Sequence, residues 1–482
     1  MGILAGHEPE AVLRYFEEIA SIPHGSTNTK GISDYCVSFA KKHGLEYYQD
    51  KSNNIVIWKD GTKGYEDRPY VMLQGHLDMV CEKEAYSDID FERDGLVLEL
   101  KDDILSASGT TLGGDDGIAI AYALALLSSD DIPHPPIEAV FTTDEEIGML
   151  GANALDMSIL RSANMINLDS EDEGYLLVSC AGGATAVCEL PVTREDYDGI
   201  MLTISVDGLL GGHSGQEIDK GRASSNSLIG RLLSYVNRST DFRLVTVSGG
   251  NKDNAIPRAS YAVISVRDEV CREKAVNAVN ELAAVIANEY HLTDPSISIR
   301  VQACTDCESR PMDEASTMRA VHMLRLFPQG VQRMSASIPG LVETSLNLGI
   351  LKDEGDRLSA AFSVRSSVNS EKDELNDRLM NIMESLSGSM TLKGVYPAWE
   401  YNEDSKLQRI MTDTFRELYG REMKVQAIHA GVECGLFADS VKGLDAVSIG
   451  PDMKDIHTPK ETLDISSVKR TWDYILRVLE KL

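Results

Sequence analysis

Several short stretches set cation-binding and proton-transferring side chains directly after apolar runs. In "YVMLQGHLDMV" (70–80), an apolar strand leads into His76 and Asp78, two positions apart. Side chains at i and i+2 of an extended segment point the same way. Such a pair is either a hydrogen-bonded core histidine or a metal ligand whose second ring nitrogen is held by an oxygen acceptor. "TTLGGDDGIAIAYALALL" places Asp115 and Asp116 behind a double glycine and ahead of a helix. "PIEAVFTTDEEIGMLGA" ends a strand with Asp144, Glu145 and Glu146, and "MINLDSEDEG" ends another with Asp169. "DMKDIHTPKETL" carries His457 shortly after an apolar stretch at 443–451. Taken singly, acids in a first helical turn satisfy free N–H groups and complement the helix dipole.

The elements around these residues set the weight of that simpler reading. Between residues 10 and 180 helices and strands alternate. Helices are predicted at 11–20, 31–43, 117–128 and about 149–160, with strands at 54–59, 70–73, 137–143 and 165–168. This pattern predicts an α/β fold with a mostly parallel sheet between helices, whose ligands gather beyond the carboxyl ends of the strands. The candidate residues all fall at strand ends or in turns, and isolated capping acids have no reason to choose one edge each time. Two histidines and several carboxylates converging there suit a pair of divalent cations with mixed nitrogen and oxygen ligands, zinc or manganese foremost.

From about 187 to 397 the pattern changes. "YAVISVRDEV" (261–270) and "AAFSVRSSVN" (360–369) are both strands ending in Val-Arg and followed by an amphipathic helix. Each is preceded by a helix and a further strand, which predicts an inserted α+β domain with an internal duplication. The expected organisation is a catalytic domain in two parts, 1–186 and 398–482, interrupted by an insert at 187–397.

Bulk properties narrow the function further. A formal net charge of −30 over 482 residues repels nucleic acid and anionic membranes, so neither is an expected partner. No apolar run reaches the roughly 18–20 residues that span a bilayer, and the amino-terminal residues lack a basic leader region. Eight cysteines are too few for a disulfide scaffold, so the expected location is the cytoplasm. Cys304 and Cys307 have CxxC spacing, which without a second pair is weak evidence for metal or redox chemistry.

The motifs "GHLDMV", "GGDDG", "TTDEEIGMLGA", "LDSEDEG" and "DIHTPKE" resemble, in order and over essentially the whole chain, the co-catalytic metallopeptidases related to aminoacylase and carboxypeptidase G, and among them the bacterial Xaa-His dipeptidases. The resemblance implies that Asp115 bridges two divalent metal ions, zinc first and manganese or cobalt as alternatives. His76 and Asp169 would complete one metal site, Glu146 and His457 the other. It further implies that Asp78 orients His76, that Glu145 is the general base, and that Asp116 stays behind the ligands. The insert would be a lid that brings His213, in "GLLGGHSGQEI", to the developing oxyanion. Asn254, in "NAIPR", and Arg365, in "FSVRSS", would contact the dipeptide, with Arg365 on its terminal carboxylate. "HAGVECG" (429–435) would line the carboxylate pocket through Glu433 and Gly435, while His429 reads equally well as a packing residue.

The implied activity is hydrolysis of unblocked dipeptides, Xaa-His among them. The competing readings are an amidohydrolase of N-acyl amino acids and a metal-binding scaffold without catalysis. In relatives with a short lid, the lid dimerises, and a duplicated lid can stand in for that partner within one chain. A homodimer is compatible with the resemblance.

Overall fold

The computed structural model describes residues 2–304 and 310–482, and the expectation placed on Cys307 lies outside them. Cys304 is disulfide-bonded. Among the described residues, no helix is long and apolar enough to cross a membrane. The chain forms two compact units. The first comprises Met1–Cys180, Tyr401–Ala427 and Val432–Leu482, and the second comprises Ala181–Glu400 with Ile428–Gly431.

The first unit is built on an eight-stranded sheet. Its order is Glu46–Gln49, Ile55–Lys59, Ile137–Thr142, Val71–His76, Asn164–Asn167, Asp445–Ser448, Tyr175–Cys180 and Lys424–Ile428. The four central strands, from Ile137–Thr142 to Asp445–Ser448, run parallel. Ile55–Lys59 and Tyr175–Cys180 flank them antiparallel. Both Val71–His76 and Ile137–Thr142 are buried at every position, as a strand covered on both faces must be. Their register sets the chemistry: His76 lies opposite Thr142, so these two strands end level, and Asn167 lies opposite Gln74, so the third ends two residues earlier on the same side. Asp78, Glu145, Glu146 and Asp169 therefore leave the sheet at one edge.

The helix Gly114–Ser128 is buried from Gly114 to Leu127 and packs on this centre. Gly75 permits the approach, because a Cβ there would sit 2.4 Å from Asp116 Oδ2 and 2.6 Å from Ala119 Cβ. The helix predicted near 149–160 is shorter, Leu150–Ala154. Asp156 then accepts from Ser158 N and turns the chain into a short 3-10 segment, a local side-chain bond competing with the helix.

A separate four-stranded sheet, in the order Met453–Lys454, Thr462–Asp464, Ile104–Ala107 and Leu98–Lys101, brings two distant loops of this unit side by side.

The second unit contains a nine-stranded antiparallel sheet, with Gly330–Met334 paired to one side of Val342–Asp353. The main path runs Ser298–Ala303, Ile200–Asp207, Ser260–Val266, Arg243–Gly249, Val342–Asp353, Arg357–Ser366, Gly182–Pro191 and Ser389–Tyr396. Its two halves mirror each other about the contact of Gly249 with Leu351. In each half a helix (Ser225–Asn237 or Glu314–Leu326) precedes a strand pair, and a second helix (Glu269–Glu289 or Asn369–Ser385) follows it. That is the arrangement expected of a duplicated unit. A single apolar core, including Ile204, Leu232, Ile264, Leu346, Phe362 and Leu379, runs through both halves.

Candidate metal centre and active site

The edge described above gathers the candidate ligands within the first unit. His76 ends its strand with 1% of its side chain exposed, and its Nδ1 donates to the Asp78 carbonyl oxygen at 2.9 Å. The Asp78 carboxylate is 3.6 Å from the same nitrogen. These acceptors fix the ring and leave Nε2 facing the cluster, 3.0 Å from Asp115 Oδ1 and 3.7 Å from Asp169 Oδ1. On the other side, His457 Nε2 is 3.1 Å from Asp115 Oδ2 and 2.9 Å from Glu146 Oε1. Asp115 thus offers one carboxylate oxygen to each histidine, the disposition required of a bridging carboxylate.

Helix capping does not account for these acids. Asp115 and Asp116 have non-helical backbone angles, and neither caps the helix behind them. Asp144, Glu145 and Glu146 lie in a turn, and the helix after them begins only at Leu150 without a side-chain cap. Asp116 instead braces the strand end, its Oδ2 accepting from His76 N at 3.1 Å.

A cation fits this donor set. Two groups, His76 with Asp115 and Glu146, and His76 with Asp116 and Asp169, each bring three ligand atoms within 4.8 Å of one another. Asp115, Glu146 and Asp169 pair only with histidines among the described residues, never with lysine or arginine. Like charges so crowded and shielded from water oppose ionisation. Burial pushes Glu145 up to about 8 and Asp169 up to about 7, while hydrogen bonds to Asp115 and Glu146 raise His457 to about 10. A bound divalent cation supplies the missing positive charge.

Two supporting contacts escape a reading of the sequence. Asp78 accepts from the backbone N–H of Glu145 at 3.0 Å and of Glu146 at 3.4 Å, and from Ser26 Oγ at 2.8 Å. Glu461 accepts from the backbone N–H groups of the loop leading into Asp115. Its one sequence signal was its place two and four residues before the buried Leu463 and Ile465, on the inward side of an alternating segment.

Glu433 is wholly buried, and its carboxylate accepts from Gln74 Nε2 at 2.5 Å and Thr142 Oγ1 at 2.6 Å. Burial pushes it up to about 8. Gly435 is buried in the helix Cys434–Ser440.

In the second unit, a two-stranded ribbon pairs His213 with Ala255, next to the exposed Asn254. The Asn254 carbonyl oxygen accepts from Ser214 N at 2.9 Å. His213 Nδ1 accepts from the backbone N–H of Gly215 at 3.2 Å and of Gln216 at 3.1 Å. The ring proton therefore resides on Nε2. Burial, then the Arg365 charge, lower the His213 pKa, so the ring is a neutral donor at pH 7. Arg365 Nη1 donates to the Tyr396 hydroxyl at 3.2 Å, and its buried Nε has no hydrogen-bond partner among the described residues. His429 Nε2 lies 2.7 Å from Ser345 Oγ, the bond of a packed histidine.

Known proteins match this architecture from end to end. The chain is 34% identical to the cytosol non-specific dipeptidase of Escherichia coli (strain K12), over 100% of this chain and 99% of that protein. The crystal structure of aminoacylhistidine dipeptidase from Vibrio alginolyticus superposes with a TM-score of 0.95 at 33% identity, covering 100% of this chain and 98% of that one. Aminopeptidase PepT from Bacillus cereus, at 14% identity, shares the fold with a TM-score of 0.56 over 98% of this chain and 99% of its own. The resemblance carried by the five motifs is thereby borne out. Residues 72–481 match the family described as Peptidase family M20/M25/M40, and the chain belongs to it.

Proposed function

We propose that this protein is a dinuclear metallo-dipeptidase that cleaves unblocked dipeptides, Xaa-His among them. The observation that carries the reading is Asp115, poised between His76 and His457 with one oxygen toward each. His76 and Asp169 would hold one cation and Glu146 and His457 the other, with Asp115 shared. Zinc suits the mixed nitrogen and oxygen set, and manganese or cobalt fit it as well. The bound pair supplies the charge that acidifies water and polarises a scissile carbonyl.

The chain's own groups do the rest. Glu145, next to a ligand but outside the set, takes the proton from the attacking water and returns it to the leaving amine. Asp78 keeps the His76 ring in one tautomer and anchors the turn bearing Glu145. His213, a neutral Nε2–H donor, serves the oxyanion, and the second unit acts as the lid that carries it. Arg365 has no acidic partner among the described residues and is free to grip the terminal carboxylate with a two-pronged bond. Asn254 contacts the substrate, and Glu433 with Gly435 form the buried floor. The likeness to a cytosol dipeptidase supports a cytoplasmic location, and a homodimer is compatible with the reading.

A panel of free, N-acetylated and C-amidated dipeptides tests the proposal. Free dipeptides should be cleaved and both blocked forms refused. Arg365→Ala should raise KM for free dipeptides more than it lowers kcat. Efficient cleavage of N-acetyl amino acids would replace this reading with the amidohydrolase one, and a metal-loaded protein that cleaves nothing would favour the scaffold.

A further inference from the structure

The backbone N–H groups at the end of the loop that leads into Asp115 all turn to one side chain. Glu461 Oε2 accepts from Leu112 N at 2.7 Å and Gly113 N at 3.2 Å, and its Oε1 accepts from Gly114 N at 2.8 Å and Asp115 N at 3.4 Å. Four successive backbone N–H groups thus converge on one carboxylate that is 2% exposed. The loop is shaped for this. Gly113 has a φ of +67°, and a Cβ on Gly114 would stand 3.2 Å from Glu461 Oε1.

Glu461 also belongs to the segment that bears His457. That segment is the tip of the hairpin between Met453–Lys454 and Thr462–Asp464. His457 itself has a φ of +61°, a left-handed conformation that a non-glycine residue holds only when its surroundings impose it. Within the tip, Glu461 N donates to Thr458 O at 3.0 Å, which ties the Glu461 backbone to the turn beside His457. The same small sheet pairs Leu463 with Leu105, so the two loops are joined by strand pairing below and by Glu461 above.

We propose that Glu461 is a positioning residue that locks the Asp115 and His457 loops in register, so that the Asp115 carboxylate stands ready between the two cation sites before metal arrives. The inference rests on the metal-site reading given above. An anion accepting several N–H bonds fixes their directions, and a charged acceptor does so more strongly than a neutral one. In Glu461→Gln the charge is lost and one oxygen becomes an NH2 that faces N–H groups. The loop can then no longer be held on both sides, and the bridging oxygens lose their preset positions.

The test is calorimetric titration of metal-free wild type, Glu461→Gln, Glu461→Asp and His76→Ala with Zn2+, alongside thermal melts of the same metal-free samples. Loss of an outer partner of a metal ligand costs about 10- to 100-fold in affinity. Glu461→Gln should therefore bind zinc about 10- to 100-fold more weakly while still folded, with Glu461→Asp, which keeps the charge, between it and wild type. A purely structural role would lower the melting temperature and leave the zinc affinity of the folded protein within twofold of wild type, which overturns the proposal. If neither Glu461 variant folds, Glu461 serves the fold and the proposal is likewise overturned. If His76→Ala binds zinc as tightly as wild type, the metal-site reading itself has failed, and that outcome is distinct from the other two.

Discussion

The Asp78 carboxylate accepts the backbone N–H of Glu145 at 3.0 Å, joining two segments 67 residues apart in the chain. One segment ends in His76 and the other begins the Glu145–Glu146 pair, so one buried acid sets the spacing between a histidine ligand and the proposed base. Asp78→Ala should therefore damage both functions. Metal affinity should fall about 10- to 100-fold, as for loss of an outer partner, and turnover at saturating metal should stay depressed. Metal titration followed by kinetics at full occupancy checks this. Normal turnover once metal is restored would limit Asp78 to the histidine.

Glu145 is distinguished from the ligands by what its loss should spare. Glu145→Gln keeps the size of the side chain and removes its ability to take a proton. The variant should retain both metals while kcat falls by about 10² to 10⁴, the usual contribution of a general acid–base group. Metal analysis beside a kinetic assay decides the matter. A folded variant that has lost metal would make Glu145 a ligand instead.

His213 offers a test of the second unit. Two backbone N–H groups occupy its Nδ1, which leaves a single N–H to donate. A donor used in the transition state alone contributes to kcat and kcat/KM alike. His213→Ala should lower both by about 10² to 10³, with metal content and melting temperature unchanged. Wild-type kcat in this variant would remove His213 from the reaction.

Much of the site was legible because its residues carry their chemistry in their type and occur where strands end. The stretches around residues 76, 115, 145, 169 and 457 could be gathered on paper once the alternation of helix and strand implied a common edge, and the family resemblance then picked out His76, Asp115, Glu146, Asp169 and His457 within them. The in-register ends of Val71–His76 and Ile137–Thr142 then brought the strand-borne ones together in space. Local sequence carries less of what holds them there. The contacts of Asp78 with Glu145 N, and of Glu461 with the loop at 112–115, use backbone groups that every residue possesses. Burial told more than motif for Glu433, whose carboxylate turns to Gln74 and Thr142 inside the sheet edge. The strand predicted at 54–59 is present as Ile55–Lys59, but its antiparallel direction escaped notice because it is as apolar as a parallel core strand. The duplication in the second unit rested on a ten-residue likeness, and the mirrored strand order gives it a structural counterpart.

Two cations held around Asp115 should be what makes this chain a dipeptidase, and one measurement reaches that directly. Metal-free protein should be titrated with Zn2+ while bound metal per chain and hydrolysis of an unblocked Xaa-His dipeptide are followed in the same samples. Hydrolysis should be absent without metal, binding should saturate at two ions per chain, and full activity should come only as the second ion binds. Hydrolysis by the metal-free chain, or full activity with no divalent ion bound, would contradict this.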